Sequence, residues 1–178
     1  MKRRSSVLMI ALLPWVAACA TPVTKGPGMI VTFRNVIKGK LLLFDKAVSA
    51  NGVAFPNPGG LSPQANPRHG GATEGSIPDG RTLPEWIQFT WRESNYNEDH
   101  TYEQLESMPR KSAQVAVRSR VPQDVVAEVI KSNHHRERGK TPEKMLWVYF
   151  VWYENEIKFR WELKKGCCTI LSSGGDQI

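Results

Sequence analysis

The stretch MLWVYFVWYENEIKFRWEL, residues 145–163, decides the fold. Its first nine residues are almost wholly apolar, as expected of a central strand covered on both faces. Glu154-Asn155 then supplies a polar turn. Beyond it Ile157, Phe159, Trp161 and Leu163 alternate with Glu156, Lys158, Arg160 and Glu162. That period of two is the signature of a strand with one face buried. The segment therefore predicts a β-hairpin with a strongly apolar inner face. A last short strand, CCTIL, is expected after Gly166, followed by a frayed tail at 172–178.

Working outward, Pro122 opens a short helix ending near Asn133. Proline suits a first helical turn, Asp124 and Glu128 lie toward the positive end, and Lys131 lies near the negative end. Val125, Val126, Val129 and Ile130 form its apolar stripe. In AQVAVRSRV, residues 113–121, Ala113, Val115, Val117 and Val121 line one side. In EWIQFTWRE, residues 85–93, Ile87, Phe89 and Trp91 share a face. Both read as half-buried strands. Residues 92–112 are polar and irregular, with a brief helical turn at Thr101–Glu106. Residues 29–37 and 40–46 are strand-like around Lys38-Gly39, and a short extended piece from Lys46 to Phe55 is interrupted at Asn51-Gly52, a strong turn dipeptide. Residues 55–84 carry a proline or glycine at twelve of thirty positions and read as a long loop. Six or seven strands and one helix predict a mainly β domain over residues 29–171: an antiparallel β-sandwich, or a curved sheet with the helix packed on it.

The amino-terminal segment MKRRSSVLMIALLPWVAACA has a different character. Lys2, Arg3 and Arg4 precede a short apolar run from Val7 to Val16, the layout of an export signal, and the run is too short to span a bilayer. Val16-Ala17-Ala18-Cys19 resembles the bacterial lipobox. That resemblance implies cleavage between Ala18 and Cys19, diacylglycerol on the Cys19 thiol and an acyl chain on its freed amine. Two or more chains anchor a protein durably. Residues 1–18 are then a signal peptide and 19–28 a lipidated tether. Ala20 follows the cysteine where an aspartate would indicate inner-membrane retention, which favours the outer membrane and a domain facing the periplasm.

The formal net charge of +7 includes three positive charges in this leader, and what remains is too modest to argue for nucleic acid. Besides Cys19 there are two adjacent cysteines, Cys167 and Cys168. A vicinal disulfide or pairing with a partner is open to them, but buried or edge thiols are expected, because neighbours in a strand point to opposite faces. No metal spacing occurs, and His134-His135 lacks a third ligand nearby. No serine elbow, phosphate loop or other catalytic constellation is present, so a non-catalytic protein without a cofactor, other than its lipid, is expected. Arg118, Arg120 and Arg160, on polar strand faces, together with His134 and His135 in a basic loop, are the candidate partner-binding residues. They suit an acidic protein partner.

From Val36 to Leu163 the chain resembles a family of small proteobacterial lipoproteins whose domain has no assigned function. The carrying pieces are Asn57-Pro58-Gly59-Gly60, Leu83-Pro84 ahead of the strand with Trp91, the Val121-Pro122 helix start, and the Leu146-to-Leu163 hairpin. Some lipoproteins of this kind look like immunity proteins, encoded beside type VI secretion effectors such as lipases. The resemblance implies a tethered inhibitor that binds a periplasmic toxin. The alternative is a structural or accessory outer-membrane lipoprotein.

Overall fold

The computed structural model describes residues 26–77, 82–134, 140–166 and 168–178, in two facing sheets. The five-stranded sheet has the order β4-β1-β7-β8-β9 and comprises β1 (Met29–Asn35), β4 (Ala72–Ile77), β7 (Lys144–Trp152), β8 (Ile157–Lys165) and β9 (Thr169–Gly175). The four-stranded sheet has the order β3-β2-β5-β6 and comprises β2 (Lys40–Ser49), β3 (Gly60–Leu61), β5 (Trp86–Asn95) and β6 (Lys111–Ala116). Helix α1 (Tyr102–Ser107) lies between β5 and β6, and α2 (Gln123–Ser132) between β6 and β7. The fold is the mainly β sandwich with a short helix that the residue pattern predicts.

The hairpin falls where expected, with Trp147 opposite Glu162 and Phe150 opposite Phe159. Its inward residues meet those of β5 and β2 in one aromatic core. The ring centroids of Phe89 and Phe150 are 5.1 Å apart, those of Phe89 and Trp152 5.1 Å, and those of Phe44 and Trp152 5.0 Å, all with steeply tilted planes. Edge-to-face pairs of this kind contribute beyond their buried area. Trp91, Trp152 and Trp161 are core residues, whereas Trp86 and Trp147 are half-buried.

Helix α2 lays Val125 and Val129 on the core, with Pro122 at its N-cap. Helix α1 is closed by a capping box: the Gln104 backbone N–H donates to the Thr101 hydroxyl, and the Thr101 N–H donates to the Gln104 side chain.

Several details depart from the expectation. One strand pair is parallel: Ile30 to Asn35 of β1 run beside Trp147 to Trp152 of β7. The turn at Lys38-Gly39 sends the chain to the other sheet, so β1 is not paired with β2. Asn35 fixes that crossing from inside. It is fully buried, donates to Lys40 O at 2.7 Å and Leu61 O at 3.0 Å, and accepts the Ile37 N–H at 2.9 Å. The segment from Lys46 to Phe55 is not a separate piece, because β2 runs on to Ser49 through a bulge between Phe44 and Lys46. The 55–84 stretch is not one long loop but contributes β3 and β4. Gly71, at φ +93, crosses so near β1 that a Cβ there would lie 2.2 Å from Phe33 O.

The strand expected to reach Val121 ends at Ala116 and gives way to a 3-10 turn at Arg118–Arg120, although Val115, Val117 and Val121 are all buried. The tail is not frayed. Ser172–Gly175 belong to β9, and Asp176 accepts the Phe159 N–H at 2.9 Å. Cys168 is exposed and disulfide-bonded, which overturns the expectation of a free thiol, and Cys167 lies outside the described residues. No helix among the described residues is long and apolar enough to cross a membrane.

Candidate functional site

Ala18, Cys19 and His135 lie outside the described residues. The arginines singled out above are each engaged within the chain. Arg118, in the 3-10 turn, donates to Leu83 O from Nε (3.1 Å) and Nη2 (2.8 Å). Arg120 pairs with Asp176 and lies over the ring of Phe159, an inward-facing residue of β8. Arg160 extends from the opposite face of β8 to the Ser173 hydroxyl and Glu162. His134 closes the end of α2, its N–H donating to Lys131 O at 3.3 Å. The structure thus places Arg120 and Arg160 on opposite faces of one strand instead of in one patch.

The outer face of the five-stranded sheet carries the most connected polar cluster. The Tyr149 hydroxyl donates to Glu162 at 2.7 Å and accepts from Lys164 at 2.9 Å, and Lys164 also pairs with Glu162 at 3.1 Å. Burial and the neighbouring carboxylate push the Tyr149 phenol well above its ordinary value. Burial alone would push Glu162 up, but the bonds it receives from Tyr149, Lys164 and Arg160 hold it below the usual carboxylate range. Lys164 sits 4.1 Å over the Trp147 ring, and Arg34 sits 4.8 Å over that of Tyr149. Arg34 in turn donates to Pro67 O (2.6 Å) and Gly70 O (3.2 Å), which holds the 62–71 loop against the sheet. Nearly every group here is satisfied by another. The exception is the buried Trp147 indole N–H, which has no hydrogen-bond partner among the described residues.

A different place is open. A cleft of about 390 Å³ lies between the start of β6 and the β7–β8 turn. Trp91, Trp152 and Tyr153 are its aromatic walls, and Glu93, Glu154 and Glu156 its carboxylates. Glu93 belongs to the inward-facing set of β5. It accepts the Trp91 indole N–H at 3.3 Å and pairs with Lys111 at 2.8 Å. Glu156 has a 3.7 Å contact with Lys158, which also stacks on Tyr153. Glu154 is exposed and has no ion-pair partner among the described residues. Behind this wall the fully buried Trp152 keeps an indole N–H without a hydrogen-bond partner among the described residues. Aromatic walls ringed by carboxylates suit recognition of a protein or other polar ligand in a concave site.

Alternation groups Glu156, just ahead of β8, with the polar positions of that strand. Its meeting with Trp91 and Glu93 depends on how the two sheets stack, which no local pattern carries. Among the described residues no group of three or more His, Cys, Asp or Glu side chains is placed to hold a metal ion. Comparison of the chain with protein-family models, curated proteins and solved structures finds no match in any of the three.

Proposed function

We propose that this chain is a lipoprotein held on the outer membrane by lipid at Cys19. Its β-sandwich faces the periplasm and binds a protein partner without catalysing a reaction. The reading that accounts best for such a design is an immunity protein that binds and neutralises a periplasmic toxin, such as a lipase effector of type VI secretion. The observation that carries it is the run from Lys2 to Cys19, with its basic start, apolar core and Val16-Ala17-Ala18-Cys19 ending, set ahead of a folded domain whose first described residue is Gly26. A two-sheet scaffold supports the partner-binding part, because rigid strands present the open cleft between β6 and the β7–β8 turn without further ordering cost.

The test is protection. If a toxin is encoded beside this gene, cells exposed to its periplasmic form should survive when they express the chain, and they should lose protection with Cys19→Ser. Near-stoichiometric capture of that toxin by the purified protein is the biochemical counterpart. Survival unaffected by expression of the lipoprotein would sink the immunity reading. Envelope defects on deletion, with no toxin present, would support the accessory reading instead.

A further inference from the structure

The registers of the five-stranded sheet bring one end of four strands together. β1 starts beside β7, with Ile30 opposite Trp147. The first residues of β7, Lys144 and Met145, face the last of β8, Lys165 and Lys164. Those in turn face Thr169 and Ile170, the first residues of β9. The chain arriving from the amino terminus therefore joins the sheet at the end that carries Lys144, Lys164, Lys165 and Trp147.

Two further observations mark this end. Ile170 and Leu171 are 52% and 43% exposed, although large apolar side chains are costly to leave in water. They sit on an edge strand whose seven residues, TILSSGG, carry no charge or proline, and whose pairing with β8 is irregular at Leu171. Around them Lys164, lying across the half-buried Trp147, is paired with Glu162, and Lys144 is paired with Glu128. Lys165, by contrast, is 59% exposed and has only a loose 3.8 Å contact with the similarly exposed Glu143, a surface pair of little strength that a headgroup can replace. A pair of exposed aliphatic residues beside lysines and a tryptophan has the composition of a surface that rests in a lipid interface. There aliphatic groups enter the acyl boundary, indole rings sit at headgroup level and lysines meet anionic headgroups.

We infer that this end of the five-stranded sheet lies on an anionic phospholipid surface, so that the β7–β8 turn and its cleft point away from the membrane. The inference rests on the reading of Cys19 as a lipid-bearing residue. Six residues, Ala20 to Lys25, separate Cys19 from Gly26, the first described and buried position. Even fully extended they reach at most about 25 Å, so the tether keeps the domain beside the headgroups and leaves its own side chains to decide which face touches them. The tether confines the domain to the surface, and Lys165 with the aliphatic pair selects which face meets it.

The test uses the lipoprotein purified from membranes and placed in vesicles of phosphatidylcholine, with or without phosphatidylglycerol. Amide hydrogen exchange of residues 164–171 is compared with that of residues 152–157. Slower exchange at 164–171 only in the phosphatidylglycerol vesicles is expected. It should disappear at high salt and in the triple variant Lys165→Glu, Ile170→Ser, Leu171→Ser, whose near-ultraviolet circular dichroism reports on the fold. Equal exchange in both lipids, or protection of 152–157 instead, overturns the proposal. So does protection of β9 without vesicles that grows with protein concentration, which marks two copies pairing edge to edge. Mass analysis of Cys19 separates the two readings. If Cys19 carries no lipid, anchoring fails, and salt-sensitive sedimentation of the full chain with phosphatidylglycerol vesicles, lost in the triple variant, still supports the surface. Absence of such binding overturns it.

Discussion

On the inner face of β7, Leu146, Val148, Phe150 and Trp152 are at most 1% exposed, while on the outer face of the same strand Tyr149 is 4% and Val151 0% exposed. At Tyr149 and Val151 the outer face is about as dry as the inner one, although Trp147 on it is half-buried, yet different forces hold the two faces. Inside, aromatic and aliphatic rings from both sheets interlock. Outside, no second sheet covers the strand, and water is excluded by Arg34, Lys164 and Arg160 lying across Tyr149 and Glu162. Long cationic side chains cover apolar surface with their stems while their heads remain hydrogen-bonded. The inner face should therefore fail by leaving cavities, and the outer face by leaving polar groups unpaired.

The largest expected effect is on the inner face. Phe150 is fully buried among Phe33, Phe89 and Phe159. Phe150→Ala should cost about 3–5 kcal/mol, read as a lowered midpoint in urea with little change of slope. A loss under about 1 kcal/mol would mean that the core collapses onto the space, and the contrast between the faces would weaken.

On the outer face Arg34→Ala removes two charge-assisted bonds, to Pro67 O and Gly70 O, and uncovers Tyr149. A loss of about 2 kcal/mol is expected, with faster amide exchange confined to residues 62–71. Exchange that rises uniformly would show that the loop is not held independently of the core. Tyr149→Phe is milder, at about 1 kcal/mol, since Glu162 keeps Lys164 and Arg160 as partners.

That cluster also sets an acid response. The Glu162 carboxyl titrates below its ordinary value in the folded protein. Its contribution is therefore fully present above that ordinary value and is lost as pH falls through the depressed folded one. Asp176, held low by the Phe159 N–H and Arg120 against the opposing effect of burial, acts in the same direction. Stability should fall on acidification below about pH 4, and Glu162→Gln should flatten that limb. An acid limb unchanged in the variant would place the titration elsewhere.

The same contrast explains what the sequence could tell. Strict alternation in Ile157–Leu163 announced which residues of β8 face inward, and the apolar run of β7 announced a strand covered on both sides. Neither could say that the second cover is a sheath of arginine and lysine, because Arg34 and Lys164 are 130 positions apart and meet only through strand pairing. The β3 and β4 strands were hidden for a related reason. ATEGSI has little alternation of its own and pairs because β1 offers a free edge. The candidate arginines were legible as exposed charges, but their partners, a carbonyl at Leu83 and a carboxylate at Asp176, lie 35 and 56 positions away. The cleft is the extreme case, since its walls come from both sheets.

The smallest expected effect on stability is at that cleft, and it is the most informative about use. Glu154 is exposed in the β7–β8 turn without an ion-pair partner among the described residues. Surface substitutions away from packing and networks usually change stability by less than about 0.5 kcal/mol, so Glu154→Gln should unfold with the parent. Its neighbour Glu93 differs, because it joins Trp91 and Lys111, and Glu93→Gln should show a measurable loss. If the cleft receives the partner, Glu154→Gln weakens binding while stability is unchanged, and the inner-face substitutions weaken binding only as far as they unfold the protein. Binding that survives Glu154→Gln together with Tyr153→Ala and Glu156→Gln would move the contact surface off the turn.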